Sequence, residues 1–230
     1  DRAAAYLESL PRHGEAPAPL TLRDLAYVAA VEARQGGRVR AALVSASAQD
    51  LRRGIARAKM AAAGDTVSDP GVYVGHGDAD GAMAWLFPGQ GSQYPGMARE
   101  LAAYLPEVRA AVSAAAAHTA GLAAPLDHLL WPPAAYSDDA RHAQRQRLAN
   151  TAAAQPAICA MSCGLVDLLR RLRLAPSALA GHSYGEFVAL HVAGALDRES
   201  LLRLTAARGR AMASVGPDAG TMAAVARSRE

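Results

Sequence analysis

The stretch Ala178-Leu179-Ala180-Gly181-His182-Ser183-Tyr184-Gly185-Glu186-Phe187-Val188-Ala189-Leu190 decides the fold. Ala178-Leu179-Ala180 reads as the end of a buried strand, and Phe187 to Leu190 opens an amphipathic helix, so Ser183 falls on a strand-to-helix turn. A turn this sharp leaves no room for side chains at Gly181 and Gly185, and it lifts the Ser183 hydroxyl clear of the sheet. The unpaired N–H groups of the helix start lie where negative charge would develop if Ser183 attacked a carbonyl. Strand, turned serine and helix in that order predict an α/β core.

Two further features lie outward from this turn. Phe87-Pro88-Gly89-Gln90-Gly91-Ser92-Gln93 follows the apolar run Ala84-Trp85-Leu86 and so opens a loop at the carboxyl end of another strand. In a parallel sheet such loops line the crevice, where the Gln90 amide can face Ser183 and, with the N–H of Tyr184, form an oxyanion hole. The alternative for P-G-x-G is a plain turn. Downstream, Gly194 ends the first helix and Asp197 is a good N-cap for the next. Leu201, Leu204, Arg208 and Ala211 then recur on one helical face. An arginine on that stripe either snorkels to the rim or faces an anion, and its planar fork suits a carboxylate.

Taken in order, F-P-G-Q-G-S-Q at 87–93, Gln155-Pro156-Ala157, G-H-S-Y-G-E at 181–186 and Ala207-Arg208-Gly209 resemble the malonyl-CoA:acyl-carrier-protein transacylase family. That family includes the acyltransferase domains of polyketide and fatty acid synthases. Leu22 to Tyr27, Arg40 to Ser45 and Gly71-Val72-Tyr73 are similar to the linker that joins a ketosynthase to such a domain. The tyrosine at 184 resembles iterative synthases of the enediyne type.

The resemblance implies that Ser183 accepts a malonyl-type acyl group from coenzyme A as an ester. It then passes the group to the phosphopantetheine thiol of an acyl carrier protein, in ping-pong covalent catalysis. It also implies an oxyanion hole from the backbone amides of Gln90 and Tyr184, and a carboxylate grip from Arg208. Gln155, which the sequence puts before Pro156 in the first turn of a helix, would lie near the acyl group. His182 is grouped with the substrate-binding residues, and His182 and Glu186 support the site rather than form a catalytic pair. No bound cofactor and no metal are implied beyond the acyl-CoA substrate and the carrier's phosphopantetheine. Expected partners are malonyl-CoA, the carrier protein and a neighbouring ketosynthase, without nucleic acid or membrane.

A serine nucleophile needs a base, and only His191 follows Ser183. At i+8 on the same helix it lies about 12 Å along the axis, too far to reach the hydroxyl. His182 is adjacent, but strand alternation points it away. The expectation is therefore that the family's histidine and its small ferredoxin-like subdomain lie beyond Glu230, and that this chain is a segment lacking that half of the machinery.

The remaining features bound the answer. Hydrophobic residues make up 51% of the 230, enough for a proper core. The net charge of +3 comes almost wholly from arginine, with Lys59 the single lysine. The arginines are scattered and aromatics are 5%, which argues against nucleic acid. Arg52, Arg53 and Arg57, and Arg170, Arg171 and Arg173, read as solvated helix charges or as attractors for a phosphate-rich coenzyme or acidic carrier. Cys159 and Cys163 read as buried small hydrophobes, which suits a reducing cytoplasm. The uncharged run from Leu148 to Leu165 is too alanine-rich for a membrane span.

The organisation expected is a small α/β linker subdomain over residues 1–80, flanked by Glu15 to Pro19 and Asp69 to Gly81. Within it a strand from Arg40 to Ser45 precedes a helix from Ser47 to about Ala63. A hydrolase-like parallel sheet core over 81–230, flanked by helices on both faces, then carries strand 84–88, helices near 94–120, a turn at Trp131-Pro132-Pro133, a helix from Thr151 to Leu172, strand 178–182, two helices and strand 222–226. Two other readings compete: a serine esterase, lipase or thioesterase of α/β-hydrolase type, which has no need of Arg208, and a non-catalytic docking or linker fragment.

Overall fold

The computed structural model describes residues 21–34, 36–77 and 81–215. The expected strand at 222–226 and the segment Glu15 to Pro19 lie outside them. The chain divides into two compact units, Asp1–Gly81 and Ala82–Glu230.

In the first unit, helix α1 (Leu22–Ala33) starts with a capping box, in which the Thr21 hydroxyl accepts from Asp24 N and the Asp24 carboxylate accepts from Thr21 N at 2.8 Å. Strand β1 (Val39–Leu43) is followed by helix α2 (Ala48–Ala62), capped by Ser47. Strand β2 (Val72–His76) then pairs antiparallel with β1, from Val39 opposite His76 to Leu43 opposite Val72. Gly54 of α2 sits over Leu43 and Val72, so the helix covers this pair at its far end. β2 occupies the segment expected to be a flanking loop. Its Val-Tyr-Val alternation is a strand signal that the surrounding Asp, Pro and Gly residues obscure.

The second unit is built around a parallel pair. Strand β3 (Ala84–Phe87) is in register with β4 (Ala178–Gly181), Ala84 opposite Ala178 and Phe87 opposite Gly181. The chain between them forms α3 (Arg99–Tyr104), α4 (Pro106–Ala116), α5 (Leu126–Leu130), α6 (Asp138–Ala149) and α7 (Thr151–Arg171). The helices expected near 94–120 are two, separated where Leu105 is extended ahead of Pro106, which takes the first helical position. After β4 come α8 (Gly185–Val192) and α9 (Arg198–Ala213), the latter capped by Asp197, whose carboxylate accepts from Ser200 N at 2.6 Å.

α7 is the core helix. It is long and apolar enough to cross a membrane by length and composition, but 72% of that window is buried inside the protein. Ile158, Met161 and Val166 join Val108 and Val112 of α4 and Leu201 and Leu202 of α9 in one cluster. Cys159 and Cys163 are buried free thiols within it. The hydrogen bond between them and burial both raise the Cys163 thiol, which stays protonated.

Three local expectations are corrected. β4 is not a buried strand: Ala178 and Ala180 are exposed, and opposite them on β3 Leu86 is 77% exposed. Among the described residues only the face carrying Trp85 and Phe87 is covered. The inward face of α9 is Leu201, Leu202, Thr205, Ala206 and Gly209, not Leu201, Leu204, Arg208 and Ala211. The small residues in that set let α9 approach α7 closely, a Cβ on Gly209 coming 3.0 Å from Thr151 O. Pro156 lies in the second turn of α7 rather than the first, because Asn150 caps the helix six residues upstream.

Candidate active site

Ser183 stands between β4 and α8 with φ of 53°, one of three described non-glycine residues in the left-handed region. Holding a serine there costs of order 1–3 kcal/mol and persists only where the surroundings enforce it. Here they do. A Cβ on Gly181 would lie 2.3 Å from Glu186 N, and one on Gly185 would lie 2.1 Å from Phe87 O, so backbone fills both spaces. His182 N donates to Phe87 O at 3.0 Å and Gly185 N to His182 O at 2.9 Å, which closes the turn. Ser183 itself is exposed, whereas Tyr184 and Gly185 are buried.

The loop after β3 packs directly on this turn. A Cβ at Gly89 would come 2.7 Å from His182 O, 2.8 Å from His182 Nδ1 and 3.1 Å from Ser183 Cβ. The bare backbone of Gly89 is therefore what lets the loop pack so close to Ser183. His182 and Ser183 both border Gly89.

Gln90 carries a second set of contacts. Its Nε2 donates to Thr151 Oγ1 at 3.0 Å, and its Oε1 accepts from Gln155 Nε2 at 3.4 Å. Gln155 is fully buried, and its Nε2 also lies 3.2 Å from the Met212 sulfur. Its Oε1 has no hydrogen-bond partner among the described residues. The start of α7, the loop after β3 and the last turn of α9 thus meet at one amide cluster. Thr151 and Met212 carry no motif that would have drawn attention to them in the sequence.

Arg208 is half-buried on α9, its guanidinium carbon 5.4 Å from the centre of the Phe187 ring. No carboxylate among the described residues pairs with it, so its planar fork has no anionic partner there. Phe187 in turn stacks on Tyr184, centroids 6.0 Å apart.

His191 is occupied elsewhere. Its Nδ1 lies 2.8 Å from Leu196 O, and its Nε2 accepts from Arg198 Nε at 3.2 Å. Arg198 also grips both oxygens of Asp167, at 2.8 and 3.1 Å. With both ring nitrogens engaged, His191 ties α8 to α9 and α7 and is no base for Ser183. A mostly apolar cavity of about 580 Å³ runs along β3, lined by Trp85, Leu86, Tyr94, Met161 and Leu165 among others, without Ser183, Gln155 or Arg208.

An exposed serine at positive φ, wedged by glycines between a parallel strand and a helix start, is the nucleophile elbow of α/β serine proteins. A second loop packed on the elbow and an arginine on the following helix narrow the class further, and residues 84–230 match the acyl transferase domain family. The chain belongs to that family.

Among its relatives, the phenolphthiocerol synthesis polyketide synthase type I Pks15/1 of Mycobacterium marinum is 38% identical over 192 residues, 83% of this chain and 8% of that protein. Erythronolide synthase EryA2 of Saccharopolyspora erythraea is 36% identical over 191 residues, 81% of this chain and 5% of that protein. Among solved structures, the acyltransferase domain from the second module of the salinomycin polyketide synthase has a TM-score of 0.62 at 29% identity, covering 88% of this chain and 49% of that one. The domain from module 8 of the same synthase has a TM-score of 0.67 at 25% identity, covering 93% and 46%. The chain thus spans about half of these solved domains and under a tenth of the two synthases.

Proposed function

We propose that the chain is the nucleophile-bearing part of a polyketide synthase acyltransferase, and that Ser183 carries a malonyl-type group from coenzyme A to an acyl carrier protein. The observation that carries this reading is the enforced positive φ of Ser183 beside the Gly89-Gln90 loop. In the first half-reaction Ser183 Oγ attacks the thioester carbonyl, its proton passes to a general base, and coenzyme A leaves as the thiol once protonated. In the second, the phosphopantetheine thiol attacks the seryl ester and Ser183 recovers its proton.

Developing charge on the carbonyl oxygen is met by the N–H groups of Gln90 and Tyr184, which are fixed before the reaction and need no reorganisation. Arg208, its guanidinium carbon over the Phe187 ring, offers two N–H groups to the free carboxylate of a malonyl unit, which an acetyl unit lacks. Gln155, whose buried Oε1 has no hydrogen-bond partner among the described residues, and the exposed His182 are assigned to the substrate-binding set in the same reading. The reaction needs no bound cofactor or metal. A ketosynthase neighbour, residues 1–80 as its linker and a cytoplasmic setting belong to the same reading.

A chase experiment tests it. Protein loaded with malonyl-CoA, freed of excess and mixed with a phosphopantetheinylated carrier protein should hand its malonyl mass to the carrier. Release as free malonate, with the carrier unchanged, would place the chain with serine esterases instead.

A further inference from the structure

Tyr184 follows the elbow serine, yet its side chain takes no part in the crevice. It is wholly buried, its hydroxyl 2.6 Å from Thr205 Oγ1 on α9. Thr205 Oγ1 in turn donates to Leu201 O at 2.7 Å, back along its own helix. A threonine hydroxyl has one proton, and Leu201 O takes it, so Tyr184 is the donor in the other bond. Burial above all holds the Tyr184 phenol well over its ordinary range, so the donor stays protonated.

The neighbouring contact repeats the spacing. Tyr184 and Phe187 are three apart at the start of α8, and Thr205 and Arg208 are three apart on α9. Tyr184 meets Thr205 by the hydrogen bond, Phe187 meets Arg208 by its ring, and the two rings stack at an interplanar angle of 24°. Two rungs therefore fasten the elbow to the helix that carries Arg208. The glycines fix the elbow from the sheet side; the Tyr184–Thr205 rung fixes the residue whose N–H points at the reacting carbonyl.

We infer that Thr205 is a positioning residue for acyl transfer, acting through the Tyr184 hydroxyl to hold the Tyr184 N–H in line with Ser183. This rests on the roles given above to Ser183 and Tyr184. Thr205 touches no substrate, and a plain buried hydrogen bond would give it only a part in stability. The two roles separate when both polar groups are removed together. A Tyr184→Phe/Thr205→Val pair leaves no orphaned hydroxyl and keeps the packing, so stability returns, but the tether is gone.

The test uses the full-length protein, measuring the single-turnover rate of malonyl transfer from coenzyme A to Ser183 by mass, with thermal melting alongside. Thr205→Val should acylate about ten-fold more slowly at saturating malonyl-CoA with half-saturation unchanged, short of the roughly 10²–10³ lost when an oxyanion donor is deleted. Thr205→Ser, which keeps the hydroxyl, should restore the rate. The Tyr184→Phe/Thr205→Val pair should regain the melting temperature and remain slow, and Tyr184→Phe alone gives the same comparison should Thr205→Val not fold. A Thr205→Val rate equal to that of the unaltered protein, or a double variant whose rate recovers with its stability, overturns the role of Thr205 alone. An unaltered protein that takes no malonyl group overturns the functional reading and this inference with it.

Discussion

Gly185→Ala is the perturbation whose size the structure fixes best. The added Cβ would lie 2.1 Å from Phe87 O, 2.6 Å from Phe87 C and 2.8 Å from Pro88 O, all backbone atoms that cannot swing aside. A carbon-to-oxygen contact settles near 3.3 Å at about its closest, so the end of β3 must retreat by about 1 Å. Phe87 O also accepts the bond from His182 N, so the retreat stretches the last link between the two strands. Overpacking of about 1–3 kcal/mol and about 1 kcal/mol for the weakened bond give about 2–4 kcal/mol in all. For a chain of this size that lowers the melting temperature by about 5–15 °C. The same 1 Å shift carries the Gly89-Gln90 loop away from Ser183 and should slow acylation by about 10²-fold. Circular dichroism melts and the mass-detected rate read the two effects, with Gly75→Ala, whose Cβ meets nothing within 4 Å, as control. A Gly185→Ala protein that melts within about 2 °C of the unaltered one and acylates at its rate would refute the account of the elbow.

Two other expectations follow from the same geometry. Arg208→Ala should lose its preference for malonyl-CoA over acetyl-CoA, falling with malonyl by about 10²-fold while acetyl transfer holds or rises, as competition between the two thioesters would report; unchanged discrimination removes Arg208 from carboxylate binding. Leu201→Ala, fully buried, should destabilise by about 2–5 kcal/mol, whereas Leu204→Ala, 39% exposed, should cost under about 1 kcal/mol in denaturant unfolding; equal costs would restore the helical face first expected for α9.

The elbow was legible because its residues stand between a strand signal and a helix signal. Gly181 and Gly185 flank Ser183 between a strand and a helix, where backbone leaves no room for side chains, and Asp197 and Ser47 announced their helices by their own side chains. The face of α9 was misread for a physical reason: apolar spacing favoured Leu204, while burial there is set by how closely α7 approaches, which selects Thr205 and Gly209. Thr205 carries no signal in the sequence because its importance lies in a partner 21 positions away. The same is true of Thr151 and Met212, which reach Gln90 and Gln155 only through tertiary packing. α6, with its alternating charges and Ser137 cap, could have been found from the sequence by that cap. The exposed face of β4 could not, since alternation of alanine with leucine and glycine says nothing about which side is covered.

The central claim is that Ser183 becomes an ester. The most direct measurement is an intact-mass spectrum of the full-length protein after brief exposure to malonyl-CoA, with Ser183→Ala beside it and peptide mapping of the adduct. One malonyl mass per chain, mapped to Ser183 and missing from the alanine variant, is the predicted result. An adduct that persists in Ser183→Ala, or none in the unaltered protein, would contradict it.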